Sequence, residues 1–272
     1  MAPLALQPRA GASATQWLLL GAGVAVSTAA AAGALFSWLT APRQPRSLEL
    51  EYFDVEAKGE PIRLLAAHLG LELKDTRMRR AEFMANKEAG KYPFGQVPLL
   101  IASLPGGEER IAQTNAIARY LCRLRGAHPH AAEAAAEVDA LLDYEHDATK
   151  GLMIVKYGDR FGIKLTDSQK EIALKTWYDS VLPLHLQHLE AYVAKSRTGW
   201  LANTPYPTAA DFVWACQLRD LLSRAAAQRY GQDCGSLRAA APMVCSFIEK
   251  FYSLPSVVAY YGAKRTLDDD AP

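Results

Sequence analysis

The fold is decided by four motifs within residues 47–120: Leu50-Glu51-Tyr52-Phe53, Gly59-Glu60-Pro61-Ile62-Arg63, Pro93-Phe94-Gly95-Gln96-Val97-Pro98 and Gln113-Thr114-Asn115-Ala116-Ile117-Ala118-Arg119-Tyr120. The first motif ends a predicted strand, and the second and fourth open predicted helices. The third places a proline immediately before another predicted strand. Together the four motifs indicate one small-molecule site.

Hydrophobic periodicity around these motifs predicts strands and helices in the order βαβα-ββα. Apolar and acidic residues alternate from Leu48 to Tyr52, which indicates a strand, and Pro61 suits the first turn of a helix. A turn is predicted at Leu104-Pro105-Gly106-Gly107. The predicted elements are a strand over 48–53, a helix over 61–70, a strand over 72–78, a helix over 81–89, a hairpin of 98–102 with 109–112, and a helix over 114–124.

The second half of the chain is predicted to be helical. Thr166 and Gln169, and likewise Thr208 and Asp211, have the spacing of boxes that satisfy the free amides at the start of a helix. We assign Thr208 and Asp211 a folding role. The predicted helices cover 131–156, 166–195 with an interruption at Pro183, 208–228 and 242–251, with a short one after Pro255; the linker between the halves is expected near 126–130.

Composition argues against several classes of function. The chain has 30 Lys and Arg against 29 Asp and Glu, a formal charge of +1, so no strong field favours nucleic acid as a partner. Its four cysteines have neither CxxC spacing nor histidine companions at metal-ligand spacing. Free thiols in a reducing compartment are therefore expected, without a disulfide framework or a zinc site.

Together the four motifs resemble the amino-terminal domain of the cytosolic-type glutathione transferases, closest to the sigma class that includes the haematopoietic prostaglandin D synthases. The resemblance extends from about Ser47 to the end of the chain. It implies an α/β thioredoxin-like domain over 47–126 and an all-α carboxyl-terminal domain over 131–265. It also implies glutathione as co-substrate and an enzyme that activates its thiol for attack on a small apolar electrophile, with isomerase or peroxidase activity as further possibilities.

The resemblance makes Tyr52 the catalytic residue. A hydroxyl hydrogen-bonded to sulfur stabilises a thiolate more than a thiol, so it lowers the thiol pKa from a free value near ~8.5. Val97-Pro98 matches the family's cis-proline, which pairs with the cysteinyl part of glutathione. Gln113 and Thr114 open a helix whose free amides and positive dipole end can hold the γ-glutamyl carboxylate.

Four further positions match the glutathione site with substitutions. Lys58 stands in place of an arginine, which keeps the charge but loses the planar fork. Phe83 replaces a tryptophan and loses its indole donor, and Gln96 replaces a lysine and keeps a neutral donor. Lys87 matches the lysine for the glycyl carboxylate, with Lys91 as a rival. These departures predict weaker glutathione binding.

The helical domain supplies the remaining predicted contacts. By resemblance, Asp147 reaches across a two-fold homodimer to the glutathione amine of the partner subunit. Phe53, Thr149 and Ile154 are expected to line the electrophile pocket, with Ile154 replacing a tryptophan of the prostaglandin D synthases. Those enzymes hold a divalent ion with acidic residues here, but His146 replaces one acid, so we predict no metal. His185 and His188 are assigned a structural or solvated role.

The resemblance leaves residues 1–46 unexplained. Residues 17–39 contain no charged residue and are long enough to span a bilayer as one transmembrane helix, with Trp17 and Trp38 at its ends. Arg43 and Arg46 favour a cytosolic main domain. Two alternatives are a transit peptide cleaved on entry to a mitochondrion or plastid, and a secretory signal. The alternative to an enzyme is a non-catalytic, membrane-tethered interaction protein of the same family.

Overall fold

The computed structural model describes residues 44–269, and residues from Gln44 onward form one compact unit. Its first part is a four-stranded sheet with the order β2-β1-β3-β4, in which β1 pairs parallel with β2 and antiparallel with β3. Three helices are interspersed with the strands. The elements are β1 (Ser47–Phe53), α1 (Glu60–His68), β2 (Leu73–Met78), α2 (Arg80–Glu88), β3 (Leu99–Leu104), β4 (Gly107–Ala112) and α3 (Thr114–Leu124).

The βαβα-ββα order of the thioredoxin-like domain is confirmed. Its hairpin strands are longer than predicted, since β3 and β4 pair from Leu99↔Ala112 to Leu104↔Gly107 and leave a tight turn at Pro105 and Gly106. Alternation along β1 separates two faces. Leu48, Leu50 and Tyr52 belong to the main hydrophobic core, which also holds residues of α1, α3 and the helical part.

The second part is helical, as predicted. Its long first helix, α4, packs against α7, and α7 also packs against α1 and α3 of the first part. Residues 125–131 connect the two parts. The helices are α4 (Ala132–Tyr157), α5 (Asp167–Thr176), α6 (Leu182–Lys195), α7 (Ala209–Leu222), α8 (Arg224–Tyr230), α9 (Cys234–Ala240), α10 (Pro242–Tyr252) and α11 (Pro255–Tyr261).

The helical part differs from the prediction at Ser223 and at α9, and the predicted interruption at Pro183 takes the form of a π-turn. The helix predicted over 208–228 breaks at Ser223, whose side chain accepts a hydrogen bond from the Ala226 amide and starts a new helix. A π-turn, Trp177–Val181, joins α5 to α6 and accommodates Pro183, which has no amide to donate. Helix α9 was not predicted, and Asp233 caps its first turn.

The second capping box is buried. Asp211 is fully buried and accepts hydrogen bonds from the Thr208 amide (2.7 Å), the Thr208 hydroxyl (2.8 Å) and the Leu201 amide (2.8 Å). Burial raises the pKa of Asp211, and these donors oppose the rise. The box therefore fixes the start of α7 and the loop before it, as expected for a folding element.

The predicted transmembrane helix lies outside the described residues. Among residues 44–269, no helix is both long and apolar enough to cross a membrane. All four cysteines lie within residues 44–269 and are free thiols.

Candidate active site

Tyr52 lies at the end of β1 with its ring buried and its hydroxyl facing the turn that follows the strand. The Lys58 amide donates a hydrogen bond to this hydroxyl over 3.2 Å. Burial raises the pKa of Tyr52, while the Lys58 amide opposes the rise. The phenol therefore stays neutral at physiological pH, with its proton available to a ligand atom.

The turn after β1 is shaped by Gly59 and Arg63. A Cβ on Gly59 would lie 2.5 Å from Cδ1 of Tyr52, so only glycine lets the turn pack on this ring. The buried Arg63 guanidinium donates to the carbonyls of Phe53 (3.2 Å) and Val55 (2.8 Å) and pairs with Asp75 (3.0 Å). Together they fix the path of the chain from Tyr52 to Lys58.

Lys58 links the turn to the helical part. Its ammonium pairs with the buried Glu145 of α4 and donates to Gln217 of α7 over 3.0 Å. The Lys58 side chain is about one-third exposed, and its carbonyl accepts from the Thr114 hydroxyl over 3.2 Å. Lys58 is therefore anchored at both its backbone and its side chain, and its charge is largely neutralised by Glu145.

Two further motifs meet beside β1. The Val97–Pro98 peptide bond is cis, and β3 begins at the next residue. Gln113 has φ +75°, a left-handed conformation that is uncommon for a residue other than glycine and recurs at functional sites. It precedes α3, whose first amides have no acceptor within the helix. The predicted cis-proline geometry and a helix start suited to a carboxylate are thus both present.

Phe83, Gln96 and the two rival lysines of the predicted glutathione site have different surroundings. Phe83 is buried and stacks on Tyr92, with 5.4 Å between ring centroids, so it offers apolar packing. Lys91 pairs with Glu51 at 2.6 Å, and this hydrogen bond raises the pKa of its ammonium. Lys87 and Gln96 are exposed. Of the two rival lysines, Lys87 is therefore the better placed to bind a ligand carboxylate.

The three residues predicted to line the electrophile pocket differ in burial and in bonding. Phe53 contacts Tyr52 edge-on at 5.6 Å, and Ile154 is half-buried on α4. Thr149 is buried, and its hydroxyl donates to the Glu145 carbonyl over 2.8 Å, which leaves it little capacity to bind a substrate.

Tyr157 and Arg160, which the sequence analysis missed, are close enough to Tyr52 to shift its pKa in opposite directions. Tyr157 raises it and Arg160 lowers it. They lie at the end of α4 and in the 3₁₀ turn Gly158–Phe161, where no periodic signal marks them.

Asp147 projects from α4 into solvent, with its carboxylate 3.4 Å from Lys150. Nearby, the Tyr144 hydroxyl lies 2.7 Å from Nδ1 of both His185 and His188. A hydroxyl has one proton, so it donates to one imidazole and accepts from the other. This contact agrees with a structural role for the pair. No cluster of three or more His, Cys, Asp or Glu side chains able to hold a metal occurs among residues 44–269.

Comparisons with known proteins match both parts of the fold to one family. Residues 48–123 match the domain family described as Glutathione S-transferase, N-terminal domain, and residues 160–264 match Glutathione S-transferase, C-terminal domain. Glutathione S-transferase 1 of Ascaris suum is 32% identical over 182 residues, which cover 64% of this chain and 84% of the relative.

Solved structures show the same fold. The prostaglandin synthase D of Nilaparvata lugens superposes with a TM-score of 0.66 at 20% identity, covering 81% of this chain and 100% of that one. The glutathione S-transferase of Ascaris lumbricoides superposes with a TM-score of 0.61 at 26% identity, covering 81% of this chain and 98% of that one.

Proposed function

The chain belongs to the glutathione S-transferase family and is a glutathione transferase, and we propose that Tyr52 activates the glutathione thiol for attack on an apolar electrophile. The observation that carries the proposal is the hydrogen bond from the Lys58 amide to the Tyr52 hydroxyl. Because the hydroxyl oxygen already accepts a hydrogen bond, its own proton is free to donate to sulfur. A polarised donor of this kind stabilises a thiolate more than a thiol.

Glutathione would be held by groups on three elements. The backbone beside the cis Val97–Pro98 bond pairs with the cysteinyl portion, and the free amides after Gln113 hold the γ-glutamyl carboxylate. Lys87 and Gln96 meet the glycyl end. Because Phe83 provides no donor and Lys58 is paired with Glu145, affinity rests mainly on the backbone of the cis-proline turn and α3.

The electrophile would lie between Phe53 of β1 and the carboxyl-terminal end of α4, with Ile154 as a wall and Tyr157 at the rim. Apolar and aromatic side chains there favour a hydrophobic substrate. Isomerisation, or reduction of a lipid peroxide, would use the same thiolate. We keep both as extensions of the transferase reaction.

Kinetics of the purified full chain test the catalytic proposal. With glutathione and a chlorodinitrobenzene-type electrophile, Tyr52→Phe should lower kcat by about 10²–10³-fold, as expected for losing one preorganised donor. The glutathione Kd should stay nearly constant at a pH below the midpoint of thiolate formation, because only the thiolate form uses the Tyr52 hydrogen bond. An unchanged kcat would remove Tyr52 from the mechanism. Wild-type protein that binds glutathione without turnover would favour the non-catalytic interaction protein instead.

We propose a two-fold homodimer in which Asp147 completes the partner's site. Asp147 is exposed on α4, and its weak contact with Lys150 leaves its carboxylate available. Sedimentation of the protein across a dilution series tests the assembly. A monomer that is fully active at low concentration would contradict it.

We also propose that residues 17–39 anchor the protein in a membrane, with the main domain in the cytosol where reduced glutathione is abundant. The proposal rests on the uncharged sequence of that segment. The full chain should then resist extraction by alkaline carbonate. A mature amino terminus between residues 29 and 47 would instead demonstrate cleavage of a targeting peptide.

A further inference from the structure

The turn that carries the Lys58 amide is held from the carboxyl-terminal end of the chain. Arg265 forms an ion pair with Glu56, and Arg219 of α7 approaches the other oxygen of the same carboxylate at 3.7 Å. Arg219 is buried, and its Nε and Nη2 atoms have no hydrogen-bond partner among the described residues. The single carboxylate of Glu56 therefore serves two arginines that come from separate elements.

Glu56 also starts the turn through its backbone. Its carbonyl accepts from the amides of Gly59 (3.1 Å) and Glu60 (2.9 Å) and so starts the 3₁₀ turn Ala57–Gly59. Ala57 within this turn has φ +31°, which is strained for alanine. Strain of this kind persists only where surrounding contacts impose it. The contacts of the Glu56 side chain are therefore positioned to keep the Lys58 amide aimed at Tyr52.

A second contact reinforces the first. The Arg265 guanidinium lies 3.6 Å from the ring centroid of Tyr261, and the Tyr261 hydroxyl donates to Glu60 over 2.7 Å. The other carboxylate oxygen of Glu60 accepts from Arg63 over 3.1 Å. Tyr261 and Arg265 thus hold both ends of the turn, at Glu56 and at Glu60.

The segment that carries Arg265 is itself fixed to the helical part. Leu267 is buried, and its carbonyl accepts from the Arg224 amide over 2.8 Å. Asp268 pairs with Arg238 at 2.6 Å. Residues 261–269 therefore connect the rigid helical part to the catalytic turn.

We propose that residues 261–269 set the strength of the hydrogen bond that Tyr52 offers to glutathione, with Arg265 as a positioning residue that acts through Glu56 and the Lys58 amide. The inference rests on the proposed function, because it assumes that Tyr52 donates to the glutathione thiolate. Arg265 itself need not touch either substrate.

The test is the pH midpoint of thiolate formation in bound glutathione, followed by ultraviolet absorbance on the full chain. Arg265→Gln should raise this midpoint by about one pH unit, which means about tenfold less thiolate below it. The glutathione Kd should not change at a pH below the wild-type midpoint, where bound glutathione is in the thiol form. Arg265→Lys, which keeps the positive charge, should restore much of the wild-type midpoint. Lys264→Gln, the same charge change at the exposed neighbouring residue, is the matched control and should leave it in place.

The outcomes separate the two proposals. In one outcome, Tyr52→Phe moves the midpoint, but Arg265→Gln has the same midpoint as the control Lys264→Gln. The positioning inference is then wrong and the proposed function stands. A lower thermal midpoint with an unmoved thiol midpoint also overturns it, since that is a structural effect only. If Tyr52→Phe moves nothing, the proposed function fails and this inference fails with it. Should Arg265→Gln not fold, Glu56→Gln provides the same measurement.

Discussion

The two sides of the active site are built in different ways. On the glutathione side, Tyr52 is fixed by a tight turn and by a buried arginine that holds this turn. On the electrophile side, the end of α4 presents a half-buried Ile154 and an exposed Tyr157, which rest on ordinary helix packing. We infer that the first side has little freedom to vary because its contacts are backbone and charge contacts, whereas the second can change substrate by changing side chains.

The largest expected effect comes from removing the buried charge on the glutathione side. Arg63→Met would leave Glu60 without its cation, remove one of the two arginines that pair with Asp75, and leave the carbonyls of Phe53 and Val55 without this donor. The expected cost is about 3–5 kcal/mol of unfolding free energy. Urea titration measures this loss. Arg77→Met, at a partly exposed arginine that pairs with Asp54 and Asp75, is the control and should cost about 1 kcal/mol or less. Equal losses would show that the turn is not held by Arg63.

A slightly smaller loss of unfolding free energy is expected at the buried capping box of α7, away from both sides of the active site. Asp211→Ala removes a buried cap with three donors and should cost about 2–3 kcal/mol, while the kcat of the folded protein stays the same. The exposed box at Thr166 is the control, and Thr166→Ala should cost about 1 kcal/mol or less. If Asp211→Ala lowers kcat without lowering stability, its folding role is wrong.

Two glycines allow the two sides to be compared directly. A Cβ on Gly59 would meet the Tyr52 ring at 2.5 Å, and one on Gly151 of α4 would meet the Trp177 ring at 2.9 Å. Either alanine overpacks an aromatic ring, which costs about 1–3 kcal/mol. Gly59→Ala should also lower kcat by about tenfold or more, because it displaces the catalytic ring. Gly151→Ala should change stability only. Equal kcat values for the two variants would show that the glutathione side is no more sensitive to overpacking than the electrophile side.

The smallest expected effect falls on affinity. Asp147→Asn should weaken glutathione binding by about tenfold, the loss of one charged hydrogen bond, without a change in unfolding free energy. Calorimetry measures the Kd, and Asp167→Asn at the exposed start of α5 is the control. An unchanged Kd in both variants would exclude Asp147 from the glutathione site.

The sequence predicted the glutathione side better than the electrophile side, for physical reasons. A proline before a strand and a helix start after a strand are local features, so the positions of Pro98 and Thr114 could be read from motifs. The Lys58–Glu145 pair joins residues 87 positions apart, and Glu56 at the start of the turn pairs with Arg265, which is also distant in the sequence. Such contacts have no local signal. The break at Ser223 was missed because apolar periodicity continues through it, whereas Pro183 is a local signal and predicted the interruption that the π-turn forms.

The central claim is that the neutral Tyr52 hydroxyl, polarised by the Lys58 amide, keeps bound glutathione ionised. The most direct test is the pH midpoint of the thiolate absorbance of glutathione bound to the wild-type protein and to Tyr52→Phe. Burial raises the pKa of Tyr52, so its proton remains available throughout the titration. The account predicts a wild-type midpoint well below the ~8.5 of an unperturbed cysteine thiol and a return toward that value in Tyr52→Phe. The same midpoint in both proteins would contradict it.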